Sequence, residues 1–284
     1  MGALDSPVQE RGKDWAGWYE DRFGIWGASF NLLPLGDPKF GQPADATHAL
    51  LRFDTTGHTA NFTPREVAAG STLVAFDTPL NLKNPAHYQG DIITVDLNGT
   101  DESLDTPDAN FYTVTATNLF SVSFVAKFDA VASQWLFTKW DETTGTEARE
   151  WRLGLASDGK LRMEIYDETA NSFIGRSYNT ALVAGRYYVF HATYDGTTAS
   201  TGIVLYIDGS VVDDTTVEDG VLTSMQNTTT LPRIGSYLST GGARTGFING
   251  KVAGGPCGPA TGLVTLTAFQ VVRDYRLMRR WLGL

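Results

Sequence analysis

Gly185-Arg-Tyr-Tyr-Val-Phe-His-Ala-Thr-Tyr-Asp-Gly196, followed after six residues by Ile203-Val-Leu-Tyr-Ile-Asp-Gly209, decides the fold class. Tyr187 to Tyr194 is apolar at nearly every position, so it reads as a central strand covered on both faces. Asp195-Gly196 and Asp208-Gly209 supply turn residues that tolerate positive φ, and Val211-Val212 resume an apolar run after the second. Two strands therefore follow each other with no helix between them.

The same pattern extends outward. Phe120, Val122, Phe124, Ala126 and Phe128 alternate with Ser121, Ser123, Val125 and Lys127, which places one apolar face in a core. Trp151-Arg-Leu153-Gly-Leu155 leads through Asp158-Gly159 into Leu161-Arg-Met163-Glu-Ile165, a hairpin signal. Strands at this spacing over residues 92 to 252, without alternating helices, predict a sandwich or barrel. The period changes at the C-terminus. Val271, Val272, Tyr275, Met278 and Leu282 fall at helical spacing, with Arg273, Arg276 and Arg280 on the other side. Thr267 and Gln270 match a capping box, Leu266 and Val271 the hydrophobic staple around it, and Gly283 a stop. The prediction is one amphipathic helix lying on the sandwich.

Residues 1–90 differ. Trp15, Trp18, Tyr19, Phe23, Trp26 and Phe30 recur at steps of three or four. Gly17, Gly24 and Gly27 weaken a helix there by about 1 kcal/mol each relative to Ala. Pro34, Pro38 and Pro43 mark a linker, and residues 49 to 54 and 72 to 77 each read as a strand. The expected division is an N-terminal extension over 1–90 and a sandwich with its closing helix over 91–284. The aromatic stripe has two readings: packing on its own domain, or docking on a partner subunit, since Trp and Tyr dominate interface anchors. The second is adopted, with Trp15, Trp18, Tyr19, Phe23 and Trp26 as the attachment element.

Composition bounds the function. In 284 residues, 42% are apolar, enough for a sizeable core, and the formal net charge of -10 is the wrong sign for a general nucleic-acid binder. His48, His58, His87 and His191 are scattered without metal-ligand spacing, and Cys257 is the single cysteine, so neither an intrachain disulfide nor a cysteine zinc site is available. Met1-Gly2-Ala3-Leu4-Asp5 lacks the basic start and apolar run of a secretory signal, and no apolar run reaches the ~20 residues that span a bilayer. The expectation is a protein made in a cytosol, with neither nucleic acid nor membrane as partner.

These segments resemble laminin-G-like domains of the concanavalin A-like lectin/glucanase family. Ile92-Ile-Thr-Val-Asp-Leu-Asn-Gly-Thr-Asp101 is similar to the family's first strand, and Phe120-Ser-Val-Ser-Phe to its next long one. Gly185 to Gly196 resembles the central strand, and Leu205-Tyr-Ile-Asp-Gly209 the family's apolar-Tyr-apolar-Asp-Gly hairpin. Arg233-Ile-Gly235 and Phe247-Ile-Asn-Gly-Lys-Val252 resemble the two strands that follow. The resemblance implies an all-β, two-sheet antiparallel jelly-roll sandwich. Members mostly bind glycans or proteins, often with calcium; some relatives are glycosidases, and similar domains occur in structural proteins of phage particles.

The chemistry narrows this. Glycosidases of the fold set acids at steps of two on one strand face. Glu164-Ile-Tyr-Asp-Glu168 comes closest, but Tyr166 sits where the middle acid belongs. Four strand residues separate the Glu164 and Glu168 backbones by about 13 Å, against ~5 Å between the carboxyls of a retaining pair and ~6.5–9.5 Å for an inverting one. No catalytic residue is therefore expected. The resemblance places a calcium-ligating Asp just after the Gly250-Lys251-Val252 strand, where this chain has Ala253. Asp101, Glu102 and Asp141 remain as calcium candidates, and no cofactor is expected. Trp140, Phe173, Tyr178 and Tyr237, in or beside predicted loops, are the candidate glycan-binding aromatics.

The expectation that joins these readings is a non-enzymatic virion structural protein of a bacteriophage. It would be a capsid decoration or other surface protein, assembled in the host cytoplasm as a homo-oligomer on capsid or other virion subunits. The alternatives are a carbohydrate-binding module for host-surface glycans and a glycoside hydrolase of the same fold.

Overall fold

The computed structural model describes residues 28–35, 49–54, 75–76, 94–105, 108, 112–253, 259–263 and 265–282. Trp15, Trp18, Tyr19, Phe23 and Trp26 lie outside these residues. In chain order the first strands are β1 (Ala28–Leu35), β2 (Ala49–Asp54), β3 (Ala75–Phe76), β4 (Thr94–Asn98), β5 (Leu104–Asp105) and β6 (Phe120–Phe128). Then come β7 (Gln134–Lys139), β8 (Trp151–Leu155), β9 (Leu161–Asp167), β10 (Ser172–Tyr178), β11 (Tyr187–Tyr194) and β12 (Ile203–Ile207). The last are β13 (Ser210–Val211), β14 (Asp214–Asp219), β15 (Arg233–Ile234), β16 (Tyr237–Leu238), β17 (Arg244–Thr245), β18 (Asn249–Ala253) and β19 (Ala260–Gly262), before the helix α1 (Ala268–Leu282).

Two sheets face each other. One runs β13-β12-β11-β6-β18-β4-β3, with β19 also on β6, and β1 and β2 beyond it. The other runs β14-β10-β9-β8-β7-β15-β5. All pairings within this second sheet are antiparallel. The core lies between the sheets, and the alternation predicts its members. Phe120, Val122, Phe124, Ala126 and Phe128 from β6 meet Phe137, Trp151, Leu153, Met163 and Ile165 from the facing sheet. Trp151 is fully buried, edge-on to Phe137 at 5.1 Å, and its indole N–H donates to the Tyr112 carbonyl at 2.7 Å. That bond removes the cost of burying an unpaired indole donor.

β11 pairs with β6 on one side and β12 on the other, the central position its apolar run predicts. Its inner face gives Phe190 and Ala192 to the core, and its outer face carries Val189 and His191 under α1. The helix begins as the sequence predicts. The Thr267 amide donates to Gln270 Oε1 at 2.9 Å, the Gln270 amide donates to Thr267 Oγ1 at 3.3 Å, and Leu266 and Val271 share one buried cluster. Met278 packs on Val125, Val189 and Ala253, and Asp274 meets His191 Nε2 at 2.9 Å with both side chains fully buried.

The Asp208-Gly209 and Asp158-Gly159 turns differ. Asp208 and Gly209 both take positive φ, 53° and 78°, and Ile207 pairs with Ser210, as a two-residue type I′ hairpin requires. A Cβ on Gly209 would stand 2.6 Å from the Tyr275 ring, so the helix also needs a glycine there. At the other turn only Gly159 is left-handed, at 73°. Its amide donates to the Ala156 carbonyl at 2.9 Å, so Asp158 lies inside a longer loop.

Candidate functional site

α1 seals the outer face of the β6–β11 sheet; on the outer face of the seven-stranded sheet Trp135, Trp140, Glu164 and Tyr166 are buried, while Arg152, Phe173 and Tyr237 keep part of their surface exposed. Arg152 and Glu164 alternate outward from β8 and β9, since Leu153, Met163 and Ile165 point into the core. Arg152 and Glu164 are also direct cross-strand partners. A β-bulge between Trp135 and Phe137 completes the arrangement. In a regular strand these two residues would share a face. The extra residue lets Phe137 enter the core while Trp135 takes the outer face over Gly154, whose added Cβ would stand 2.7 Å from the indole Cε3.

Arg152 is the centre of the face. Its guanidinium lies 4.0 Å from the ring centroids of both Trp135 and Trp140, and 5.4 Å from that of Tyr237. Its Nε donates to Glu164 Oε2 at 2.5 Å and its Nη1 to Glu142 Oε1 at 3.4 Å. The Trp140 indole N–H donates to the same Glu142 oxygen at 2.7 Å. Across the strands, Trp140 meets Tyr166 edge-on at 5.4 Å, and Tyr166 stacks on Phe173 at 6.1 Å with rings 12° apart. Arg149 covers Tyr166 at 3.8 Å and grips Glu168 with two bonds, 2.5 and 2.9 Å. Those hydrogen bonds to Glu168 raise the Arg149 pKa above its ordinary value. Burial raises the Tyr166 and Tyr237 phenols, so both rings stay neutral. The result is a continuous strip of aromatic rings and guanidinium planes from Tyr237 to Phe173.

Three of the four predicted glycan aromatics meet in this strip. Phe173 and Tyr237 are half-buried at its two ends. Trp140, expected as an exposed ring, is only 2% exposed: its faces are spent on Arg152 and Tyr166, so it supports the strip and offers no free surface. Tyr178, at the end of β10, packs against the main core and stands apart. Sequence reasoning missed Trp135, Arg149, Arg152 and Tyr166. Alternation in Trp151-Arg-Leu153 places Arg152 outward, but its ring partners come from other strands through registers that no local pattern encodes.

The acids are all engaged. Glu164 bonds Arg152 and also contacts Arg162 at 3.5 Å, and Glu168 holds Arg149. The calcium candidates sit on two loops. Asp101 accepts from the Asn98 amide side chain, Glu102 from the Asn98 backbone, and Asp141 from the Thr143 backbone. Among the described residues no three His, Cys, Asp or Glu side chains converge as a ligand set. Ala253, at the position the resemblance gives to a ligand, is fully buried beneath Met278, so the family's calcium site does not fit these residues.

A family model of laminin G type, for the concanavalin A-like lectin/glucanases superfamily, matches residues 98–254. The chain belongs to the concanavalin A-like lectin/glucanases superfamily. Solved structures of similar shape include the CBM40 domain of the Ruminococcus gnavus IT-sialidase, at 12% identity over 63% of this chain and 96% of that one, TM-score 0.47. The NanB sialidase of Streptococcus pneumoniae aligns at 14% identity over 63% of this chain and 27% of that one, TM-score 0.49. The binding domain of Paraclostridial Mosquitocidal Protein 1 aligns at 13% identity over 74% of this chain and 46% of that one, TM-score 0.47. No curated protein matches the sequence. The superfamily's own name spans lectins and glucanases, so its membership leaves the chemistry to the site.

Proposed function

We propose that this chain is a non-catalytic carbohydrate-recognition module whose ligand face is the outer surface of the seven-stranded sheet. The observation that supports it is the strip itself. Half-buried Phe173 and Tyr237 flank a rigid floor in which Arg152 is held between two indoles and two carboxylates. Ring faces and fixed polar atoms on strands are what a sugar site uses, because the ligand then meets surfaces that lose no further freedom.

Hydrolysis fits the same face poorly. A glycosidase needs one carboxyl free to hold a proton and a second placed to attack or activate water. Here Glu164 and Glu168 each bond an arginine, so neither carboxyl is left free for those roles. The test is a glycan array combined with a reducing-end release assay. Binding without release is expected, lost in folded Tyr237→Ala and Phe173→Ala variants. Release that disappears in Glu164→Gln or Glu168→Gln would overturn the non-catalytic reading.

One observation favours a second reading, the virion-surface subunit. Phe269 on α1 is 76% exposed and lines an open depression with Val272, Leu277, Arg273 and Arg276. Apolar surface of this kind is used to meet another subunit. On that reading wild-type protein assembles in light-scattering measurements and Phe269→Asp does not; a monomer in both sinks it.

A further inference from the structure

We propose that the strip selects uncharged saccharides and rejects sugars that carry carboxylate or sulfate groups. The inference rests on the carbohydrate-recognition reading and adds the ligand's charge to it. Three arginines on this face, Arg149, Arg152 and Arg162, suggest an anion site at first sight. A guanidinium that recognises an anion offers its fork of N–H donors to the ligand. Arg152 has no fork to offer, because both of its planes lie on indoles and its edge is held by Glu164 and Glu142. Arg149 has one plane on Tyr166 and a bidentate grip on Glu168. Arg162 touches Glu164 only through Nη1, at 3.5 Å, and its Nε is buried with no hydrogen-bond partner among the described residues.

The charges balance, with Glu142, Glu164 and Glu168 against the three arginines. An incoming anion therefore meets no formal excess of positive charge among these six side chains. To take either stacked guanidinium it must displace a glutamate and leave that carboxylate unpaired, and Glu164 is only 3% exposed. Such a displacement is strongly unfavourable in a partly dry site. What the face does present is acceptor oxygen beside a ring at each end. Glu142, its side chain 22% exposed, is joined to the Tyr237 hairpin by its amide, which donates to the Leu238 carbonyl at 2.9 Å. Glu168, 15% exposed, lies with Arg149 at the Tyr166–Phe173 stack. Sugar hydroxyls donate to such oxygens while the C–H faces of the sugar pack on the rings, and neither contact needs charge on the ligand.

The experiment compares the full chain's binding to two series by calorimetry. One is a neutral β-glucan, mannan and galactan. The other is alginate, a sulfated galactan and sialyllactose. The expected result is binding within the neutral series, with a Kd that changes less than about twofold between about 50 mM and about 500 mM NaCl. Preference for the anionic series, weakening about tenfold or more over that salt range, would overturn the inference while leaving the recognition reading intact. Binding to neither series would overturn both. Glu168→Gln releases the Arg149 fork and is expected to gain affinity for the anionic series. A folded variant with no gain would contradict the claim that these ion pairs are what exclude anions.

Discussion

Asp167 shows what one acid in the sequence run Glu164-Ile-Tyr-Asp-Glu168 does. It is buried, and its Oδ1 accepts from the Thr169 and Ala170 amides, while Oδ2 accepts from the Thr223 amide and hydroxyl and the Ser224 amide. Burial raises its pKa, but the bonds from Ser224, Thr223 and Ala170 outweigh burial and hold it below the ordinary carboxylate value. A carboxylate with a depressed folded-state pKa contributes stability above its unfolded pKa, about 3.9, and loses it as pH falls through the folded value. Asp167→Asn should therefore be less stable by about 1–3 kcal/mol at pH near 7, with a gap that closes below about pH 4. Urea melts of both proteins across that window check it. Lys139 makes a comparable case. Its fully buried ammonium lies 2.8 Å from Glu150, 2.9 Å from Asp108 and 3.1 Å from Thr113 Oγ1. Lys139→Met leaves Glu150 buried without its cation and should cost about 3–5 kcal/mol, of which a second change, Glu150→Gln, restores part. Neither clamp was legible in the sequence. Lys139 and Asp167 look like ordinary strand charges until Asp108, Asn227 and Thr223 are brought to them from distant loops.

Elements were far more legible than their partners. Alternation assigns inner and outer faces on β6, β8 and β9, because a strand's side chains point to opposite faces at a period of two. Helical spacing with a capping box places the start of α1 at Thr267. What the pattern does not encode is which strands pair, and a bulge breaks its assumption of regular alternation. The bulge turns Trp135 outward while Phe137 stays in the core, and the site exists because of that departure. The helix yields two predictions. Thr267→Ala removes the cap and should cost about 1 kcal/mol. Asp274→Ala removes the buried partner of His191 Nε2 and should cost about 1–3 kcal/mol, whereas Arg276→Ala, on the exposed side, should stay within about 0.5 kcal/mol. Thermal melts of the three variants rank them. Equal effects at residues 274 and 276 would mean that α1 is not docked through Asp274.

At the scale of the whole molecule, the two sheets have unequal roles. The β6–β11 sheet is covered by α1, through Val125, Val189 and His191 beneath it. The seven-stranded sheet spends Arg149 and Arg152 of its outer face on holding aromatic rings in place. The family and the sandwich were readable from ordered short motifs; the site was not, because it is made by register across four strands. The most direct test of the carbohydrate-recognition account is an NMR titration of the tryptophan indole N–H signals with a neutral polysaccharide that binds. The account predicts that the Trp135 and Trp140 signals shift with saturation while that of core-buried Trp151 stays still. Saturable binding that leaves Trp135 and Trp140 unmoved would place the ligand elsewhere and contradict it.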